Sequence, residues 1–137
     1  MTVGAAQTGP IQETDSRSEV VERLINLLHE GSQAGCDLVV FPELALTTFF
    51  PRWYVDDKKE FDHYFEKEMP SPETKPLFDE AKRLGVGFHL GYAELTPKGE
   101  HFNTSVLVDK AGDIIAHYRK VHLPGHEEHE PWRAFQH

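Results

Sequence analysis

A continuous apolar run, LVVF at residues 38–41, constrains the fold of this chain more than any other feature. Such a run, without alternating polar residues, is typical of a strand covered on both faces, as in a parallel sheet beneath helices. Pro42 follows directly and ends the strand, because proline has no N–H to donate to a sheet. The run therefore predicts an α/β fold.

Glu43 comes next, at the carboxyl end of this predicted strand. Open α/β sheets bind their ligands beyond the carboxyl ends of strands, so the position favours a role in function. The ordinary role of a lone glutamate after a strand is to cap the following segment or to pair with an arginine. The residues next to Glu43 leave both interpretations open.

The rest of the chain alternates between strand and helix signals. Ser16 and Glu19 form a capping-box pattern at the start of a helix whose apolar residues recur at helical spacing up to Gly31. Gly112, in the segment VDKAGDII, predicts a hairpin with a bulge, because glycine accepts a positive φ. The predicted order is β-α-β-loop-α-β-β-β, with a sheet that is parallel first and antiparallel later. The remaining predicted elements are strands over residues 2–6, 86–92, 102–108 and 114–118, a short helix over 58–67, and a helix that begins near 71–72 or near Pro76 and ends at Gly85.

Length and charge narrow the class of protein. The chain has 137 residues, the size of one domain. Its net charge of −9, with scattered basic residues, disfavours a nucleic-acid partner, and no apolar run approaches the roughly 18 residues of a membrane span. The first residues lack a basic leader with an apolar segment, so we expect a cytoplasmic protein.

Cys36 is the single cysteine of the chain. A single cysteine excludes an internal disulfide and a thiolate metal cluster, and we expect Cys36 to be a small packing residue.

The histidines near the end of the sequence raise the question of a metal site. They are His122, His126, His129 and His137, and their spacings match no familiar zinc ligand set. Leu-Pro-Gly at residues 123–125 prevents the first two from sharing one face of a helix. We therefore expect no metal ion and interpret the segment as a solvated or substrate-lining loop.

Three separated motifs resemble one family. They are FPEL at residues 41–44, FNTSVLVDKAGDII at 102–115 and YRKVHLPG at 118–125. Together and in this order, they resemble the nitrilase or carbon-nitrogen hydrolase superfamily over essentially the whole chain. The longer forms FPELALTTFFPRW, LGYAEL and YRKVHLPGH are most similar to the N-carbamoyl-D-amino acid amidohydrolases, or D-carbamoylases.

The resemblance implies a fold and a set of site residues. The fold is a four-layer α-β-β-α sandwich with a mixed sheet, of which residues 1–137 form the N-terminal part of a single domain. The Glu-Lys-Cys triad of the family has its glutamate at Glu43 and its lysine at Lys120, whereas its cysteine falls beyond the last residue of this sequence. His122 and His137 match family histidines near the active site, which implies that they bind substrate.

The implied chemistry requires neither a metal ion nor an organic cofactor. A cysteine thiolate attacks the carbonyl carbon and forms a covalent carbamoyl-enzyme, which water hydrolyses. Glu43, partly desolvated among apolar neighbours, would have a raised carboxyl pKa and would take the thiol proton. The Lys120 ammonium would stabilise the oxyanion of the tetrahedral intermediate.

Two further residues, Arg52 and Trp53, follow the FPEL motif, and two interpretations of them stay open. They either form a surface hinge or line the mouth of the pocket.

The implied reaction of the intact, homo-oligomeric enzyme is hydrolysis of N-carbamoyl-D-amino acids to D-amino acid, carbon dioxide and ammonia. The 137-residue chain alone is expected to be inactive, because it lacks the nucleophile. One alternative is another carbon-nitrogen hydrolase, acting on N-carbamoylputrescine, β-ureidopropionate or an aliphatic amide. The other is a non-catalytic truncated paralogue that acts as an interaction module or as one half of a split enzyme. If the chain belongs to an enzyme, we expect its binding partner to be a small-molecule substrate such as an N-carbamoyl amino acid. We expect it to bind neither nucleic acid nor a membrane.

Overall fold

A computed structural model describes residues 1–122 of the chain. Within this described part, five strands form one sheet in sequence order, parallel over the first three strands and antiparallel over the last three. The α/β class and the mixed sheet predicted from the sequence are confirmed. In chain order, the elements are β1 (Val3–Ala5), α1 (Arg17–Gln33), β2 (Leu38–Val40), a 3-10 turn (Phe50–Arg52), α2 (Lys58–Asp62), α3 (Lys75–Leu84), β3 (Gly87–Leu95), β4 (His101–Val108) and β5 (Ile114–Arg119).

Helix α1 begins with the predicted capping box. The Ser16 hydroxyl accepts a hydrogen bond from the Glu19 N–H, and the Glu19 carboxylate accepts one from the Ser16 N–H. These bonds satisfy N–H groups that have no partner within the helix. The helix continues two residues beyond its predicted end at Gly31. The glycine is a point of close packing inside the helix, since a Cβ there would lie 2.5 Å from a methyl group of Val39.

Helix α3 begins at the later of the two predicted positions. Its first residue is Lys75, so that Pro76 lies in the first turn. Proline is favoured there because its missing N–H would have no helical partner in any case. The helix ends at Leu84, directly before Gly85, as predicted.

Helices α1 and α3 pack on the same face of the sheet. Val39 of β2 and Phe88 and Leu90 of β3 point to this face, and Val39 is only 2% exposed. Leu38 and Val40, which alternate with Val39 along the strand, are only half-buried on the opposite face. The prediction that β2 is covered on both faces is therefore wrong for the described residues, because both long helices lie on one side.

Helix α2 is shorter than the predicted helix over residues 58–67. Beyond its end, the Glu66 N–H donates to the Ala93 carbonyl at 2.7 Å, and the Glu66 carbonyl accepts from the Leu95 N–H at 2.9 Å. The Glu66 carboxylate also contacts the Arg17 guanidinium at 2.5 Å. The backbone at Glu66 pairs with β3 instead of continuing the helix, because this pairing satisfies both of its polar groups.

Strands β4 and β5 form the predicted hairpin with a bulge. Gly112 has a φ of 82°, and the strand register shifts between Leu107 and Val108. Among the described residues, β5 pairs only with β4, and all six of its residues are exposed. The strand therefore forms one edge of the sheet, and Lys120 follows directly after its last residue.

Candidate active site

The turn after β2 places Glu43 beside β3. The Phe41 N–H donates to the His89 carbonyl at 2.9 Å, and the Ala45 N–H donates to the Gly91 carbonyl at 2.8 Å. These two bonds attach both ends of the turn to the neighbouring strand. Glu43 therefore lies beyond the carboxyl end of β2, where its position in the sequence predicted it.

Gly91 allows the turn to approach β3 closely. A Cβ at this position would lie 3.0 Å from the Glu43 Cα and 3.0 Å from the Pro42 carbonyl oxygen. A glycine within a strand often marks such an approach of another stretch of backbone. Gly91 therefore sets how close Glu43 lies to the sheet.

Replacing Gly91 by alanine is expected to destabilise the protein by about 1–3 kcal/mol. The added methyl group would press on the backbone at residues 42–44, which has no flexible side-chain end that could move aside. Chemical denaturation of the purified protein measures the effect. A Gly91→Ala protein as stable as the parent would contradict the tight contact between Gly91 and the turn at residues 42–44.

Lys120 reaches Glu43 from the far side of β4. Its backbone N–H donates to the Asn103 carbonyl at 2.8 Å, which continues the pairing between β4 and β5 by one residue. Its side-chain Nζ lies 2.6 Å from Glu43 Oε1, although the two residues are 77 positions apart in sequence. The sheet thus brings together the two residues that the resemblance singled out.

Asn103 is a third member of this site, which the sequence did not reveal. Its Nδ2 donates to Glu43 Oε1 at 2.7 Å, the same oxygen that accepts from Lys120. Its backbone carbonyl holds the Lys120 N–H, so one residue of β4 contacts both partners. The sequence could have indicated Asn103 only through the FNTS motif at residues 102–105. This motif contributed to the resemblance, but no role was assigned to its asparagine.

A cleft of about 330 Å³ opens beside the pair and is lined by Glu43, His89, Asn103, Lys120 and His122, among others. His122 lies at the wall of this cleft, and its role as a substrate-binding residue stays a prediction. His137 lies outside the described residues, as do the other histidines of the terminal segment. His89 was not predicted, and its buried Nδ1 has no hydrogen-bond partner within residues 1–122.

The site is open to solvent. The side chains of Glu43 and Lys120 are 45% and 33% exposed. The described residues leave nearly half of the Glu43 side chain exposed, because the cleft lies on the sheet face that α1 and α3 leave uncovered; the desolvation expected for Glu43 stays a prediction. At this exposure the ion pair contributes only about 0–1 kcal/mol to stability. Its significance is in the placement of two reactive groups.

A second cleft, of about 390 Å³, lies on the other side of Glu43. Arg52 lines it together with Glu43 and Thr48, whereas the Trp53 ring packs against the small aromatic cluster around Phe50. The Arg52 guanidinium lies 4.2 Å from the centre of the Trp53 ring. Of the two interpretations left open for these residues, a position at the mouth of a pocket fits Arg52 alone.

Cys36 lies at the opposite end of β2 from Glu43. It precedes the strand, is half-buried and packs against the main core, in agreement with a packing role.

The described residues hold no group of three or more histidine, cysteine, aspartate or glutamate side chains that could bind a metal ion. Within residues 1–122, no helix is long and apolar enough to cross a membrane.

This arrangement of an α/β sheet with a glutamate and a lysine in contact beyond its parallel strands suits acid–base and oxyanion chemistry, the chemistry of a hydrolase. Residues 2–136 match the family model described as carbon-nitrogen hydrolase, and the chain belongs to this family. The family was expected from the motifs around Glu43, Asn103 and Lys120.

Two curated relatives show how this chain compares with whole proteins. A cyanide hydratase from Penicillium rubens is 33% identical over 110 residues, which cover 75% of this chain and 30% of the relative. A formamidase from Bacillus cereus is 29% identical over 133 residues, which cover 91% of this chain and 37% of the relative. The chain therefore spans about a third of the length of these relatives.

A solved structure shows the same fold. The carbon-nitrogen hydrolase from Helicobacter pylori G27 superposes with a TM-score of 0.72 at 25% sequence identity. The match covers 96% of this chain and 42% of that protein. The likeness extends the assignment from the sequence motifs to the arrangement of the strands and helices.

Proposed function

We propose that this chain supplies two groups of a carbon-nitrogen hydrolase active site, with Glu43 as the general base and Lys120 as the oxyanion-stabilising cation. The observation that carries the proposal is the 2.6 Å contact between Lys120 Nζ and Glu43 Oε1, beyond the carboxyl end of β2. The nucleophilic cysteine comes from chain outside these 137 residues, which form the N-terminal part of the catalytic domain. We use the term intact protein for the longer protein that would contain both this chain and the nucleophilic cysteine.

In the proposed reaction, Glu43 takes the proton of the cysteine thiol, and the thiolate attacks the carbonyl carbon of the substrate. Negative charge develops on the carbonyl oxygen, and Lys120 stabilises it. The C–N bond breaks, and the leaving nitrogen receives the proton that Glu43 holds. A water molecule, deprotonated by Glu43, then attacks the acyl-enzyme, and the thiol leaves with that proton. His122 binds substrate from the wall of the cleft, and His137 is assigned the same role on the resemblance alone.

We infer that the substrates of the intact protein are N-carbamoyl-D-amino acids, on the basis of the extended motifs around Glu43 and Lys120. Their hydrolysis gives the D-amino acid, carbon dioxide and ammonia. A second candidate is a small amide, favoured by the formamidase among the relatives. No step in either reaction is assigned to a cofactor.

Ammonia release by the intact protein tests the proposal and separates the two candidates. The substrate panel contains an N-carbamoyl-D-amino acid, its L enantiomer and formamide. Preferential turnover of the D-carbamoyl compound supports the first candidate, and turnover of formamide alone supports the second. Absence of ammonia release from every C–N substrate would overturn the assignment of Glu43 and Lys120 to catalysis.

The 137-residue chain by itself is expected to show no turnover, because it carries no cysteine at the site. The same ammonia assay on the purified chain checks this expectation. Addition of the remainder of the intact protein as a separate polypeptide tests whether the two parts form an active split enzyme. Turnover by the chain alone would show that the nucleophile is a residue present here.

A further inference from the structure

A second network of side chains lies directly behind the Glu43–Lys120 pair. On β3, the Glu94 carboxylate accepts two hydrogen bonds from the Arg119 guanidinium, at 2.6 Å and 2.9 Å. The Thr104 hydroxyl of β4 donates to the same carboxylate at 2.7 Å. These three residues, Glu94, Thr104 and Arg119, are the brace. It connects three neighbouring strands, and Arg119 reaches across β4 to make it.

The brace and the site are on opposite faces of the same strands. Thr104 follows Asn103 along β4, and Lys120 follows Arg119 at the end of β5. Successive side chains of a strand point to opposite faces of the sheet. The two side chains that contact Glu43 are therefore each the immediate neighbour of a member of the brace.

The brace is better built than an ordinary surface ion pair. The Glu94 side chain is only 16% exposed, and its contact with Arg119 is bidentate. The Arg119 guanidinium also lies 4.1 Å from the centre of the Phe102 ring. The guanidinium of Arg119 and the Thr104 hydroxyl, by their hydrogen bonds, hold the pKa of the Glu94 carboxyl below its usual value, so the network is charged at neutral pH. Bidentate charge-assisted pairs fix geometry as well as adding energy.

β5 needs such an anchor. As the edge strand of the described sheet it has one neighbour, and the ends of edge strands fray more easily than central strands. Lys120 lies beyond its last residue, and a single backbone hydrogen bond to Asn103 holds it to β4. Fraying by one residue would release this bond and withdraw the ammonium from Glu43.

We propose that Glu94, Thr104 and Arg119 are positioning residues that hold the Lys120 ammonium against Glu43. The inference rests on the proposed function of that pair, which it deepens. Glu94 and Arg119 do not line the cleft. Thr104 lies at its wall, but the Thr104 hydroxyl is bonded to Glu94 behind the sheet, so the three residues act through the backbone of β4 and β5. Loss of the brace reduces the fraction of molecules in which the ammonium lies beside Glu43.

The experiment compares Arg119→Met, Glu94→Gln and their double variant with the parent, all in the intact protein. Lys110→Met is the matched control: it removes a 2.5 Å ion pair with Asp37 from the same β4–β5 hairpin, at the end away from the site. The readouts are kcat/KM, its dependence on pH, and the melting temperature. A separate readout is the ¹³C NMR titration midpoint of the Glu43 carboxyl, which requires no turnover.

We expect Arg119→Met to lower kcat/KM by about 10- to 100-fold, since small misplacements of a reacting group cost up to that much. The acidic limb of the pH profile and the Glu43 titration midpoint should both move to higher pH, because a carboxylate that loses a nearby cation binds its proton more tightly. The kcat/KM of the double variant should be no lower than that of the less active single variant, because the two residues act as one pair. Lys110→Met should match the parent in all activity readouts.

An Arg119→Met protein with the parent's kcat/KM and pH profile would overturn the inference. The inference would also be overturned if Arg119→Met lost activity without a change in the pH profile and Lys110→Met lost activity to the same extent. The loss would then reflect stability alone. If the parent hydrolyses no C–N substrate, the proposed function fails. The inference is then decided by the NMR midpoint: a move in Arg119→Met equal in sign to that in Lys120→Met keeps it, and an unmoved midpoint removes it.

Discussion

Replacing Glu43 by glutamine should lower the kcat of the intact protein by about 100- to 10,000-fold, the contribution of a general base. Glutamine has almost the same shape, and its carbonyl oxygen can still accept hydrogen bonds from Asn103 and Lys120. The substitution therefore removes the proton acceptor and leaves the surrounding contacts in place. Initial rates of ammonia release measure the loss, and a thermal melt checks the fold.

Glu80→Gln is the matched control for this prediction. Glu80 is also a carboxylate held by a cation, with Arg83 Nε 2.7 Å away, and the Arg83 guanidinium is the main cause that lowers the Glu80 pKa to about 2. It lies on α3, on the helical side of the sheet and away from the cleft. We expect its loss to affect stability and not kcat. Equal rates for Glu43→Gln and the parent would remove Glu43 from the mechanism.

Local sequence signals predicted most of the secondary structure. The capping box at Ser16 located the start of α1, and the apolar run before Pro42 located β2. These signals work because they reflect hydrogen bonding within a few residues of the chain. The helix over residues 58–67 was predicted too long, because the backbone of Glu66 bonds to β3, a partner that no local pattern reveals.

The site was predicted less completely than the fold. The place of Glu43 after β2 indicated a functional position, but its role and the choice of Lys120 came from the resemblance to a family. The sequence alone could not show that residues 77 positions apart are in contact. Asn103 and Arg119 were missed because polar residues in a strand usually face solvent, so their sequence context gave no reason to pair them. Their roles depend on strand order and register, which are properties of the assembled sheet.

The exposure of Glu43 bears on how the site would work. A carboxylate that is 45% exposed is screened by water. The cleft lies on the sheet face that α1 and α3 leave uncovered, where Leu38 and Val40 are also half-buried. Covering this face with further chain would exclude water from the pair and strengthen its electrostatic effect. The proposed requirement for the intact protein therefore concerns the environment of Glu43 as well as the missing cysteine.

Replacing Lys120 by methionine should lower kcat by about 100- to 1,000-fold, the cost of removing one stabilising group from an oxyanion. KM should change little, because the charge on the carbonyl oxygen develops only in the transition state. The acidic limb of the pH profile should also move to higher pH, since Glu43 loses the cation 2.6 Å away. Steady-state kinetics between pH 5 and pH 9 measure all three effects.

Lys120→Arg makes this prediction specific to an ammonium group. Arginine keeps the positive charge, but its planar guanidinium is larger and its donors point in fixed directions, so it does not place a single donor where Nζ lies. We expect this variant to keep the acidic limb close to the parent's position, because the charge beside Glu43 remains, while kcat stays low. Full activity in Lys120→Arg would mean that only the charge matters, and full activity in Lys120→Met would assign oxyanion stabilisation to another group.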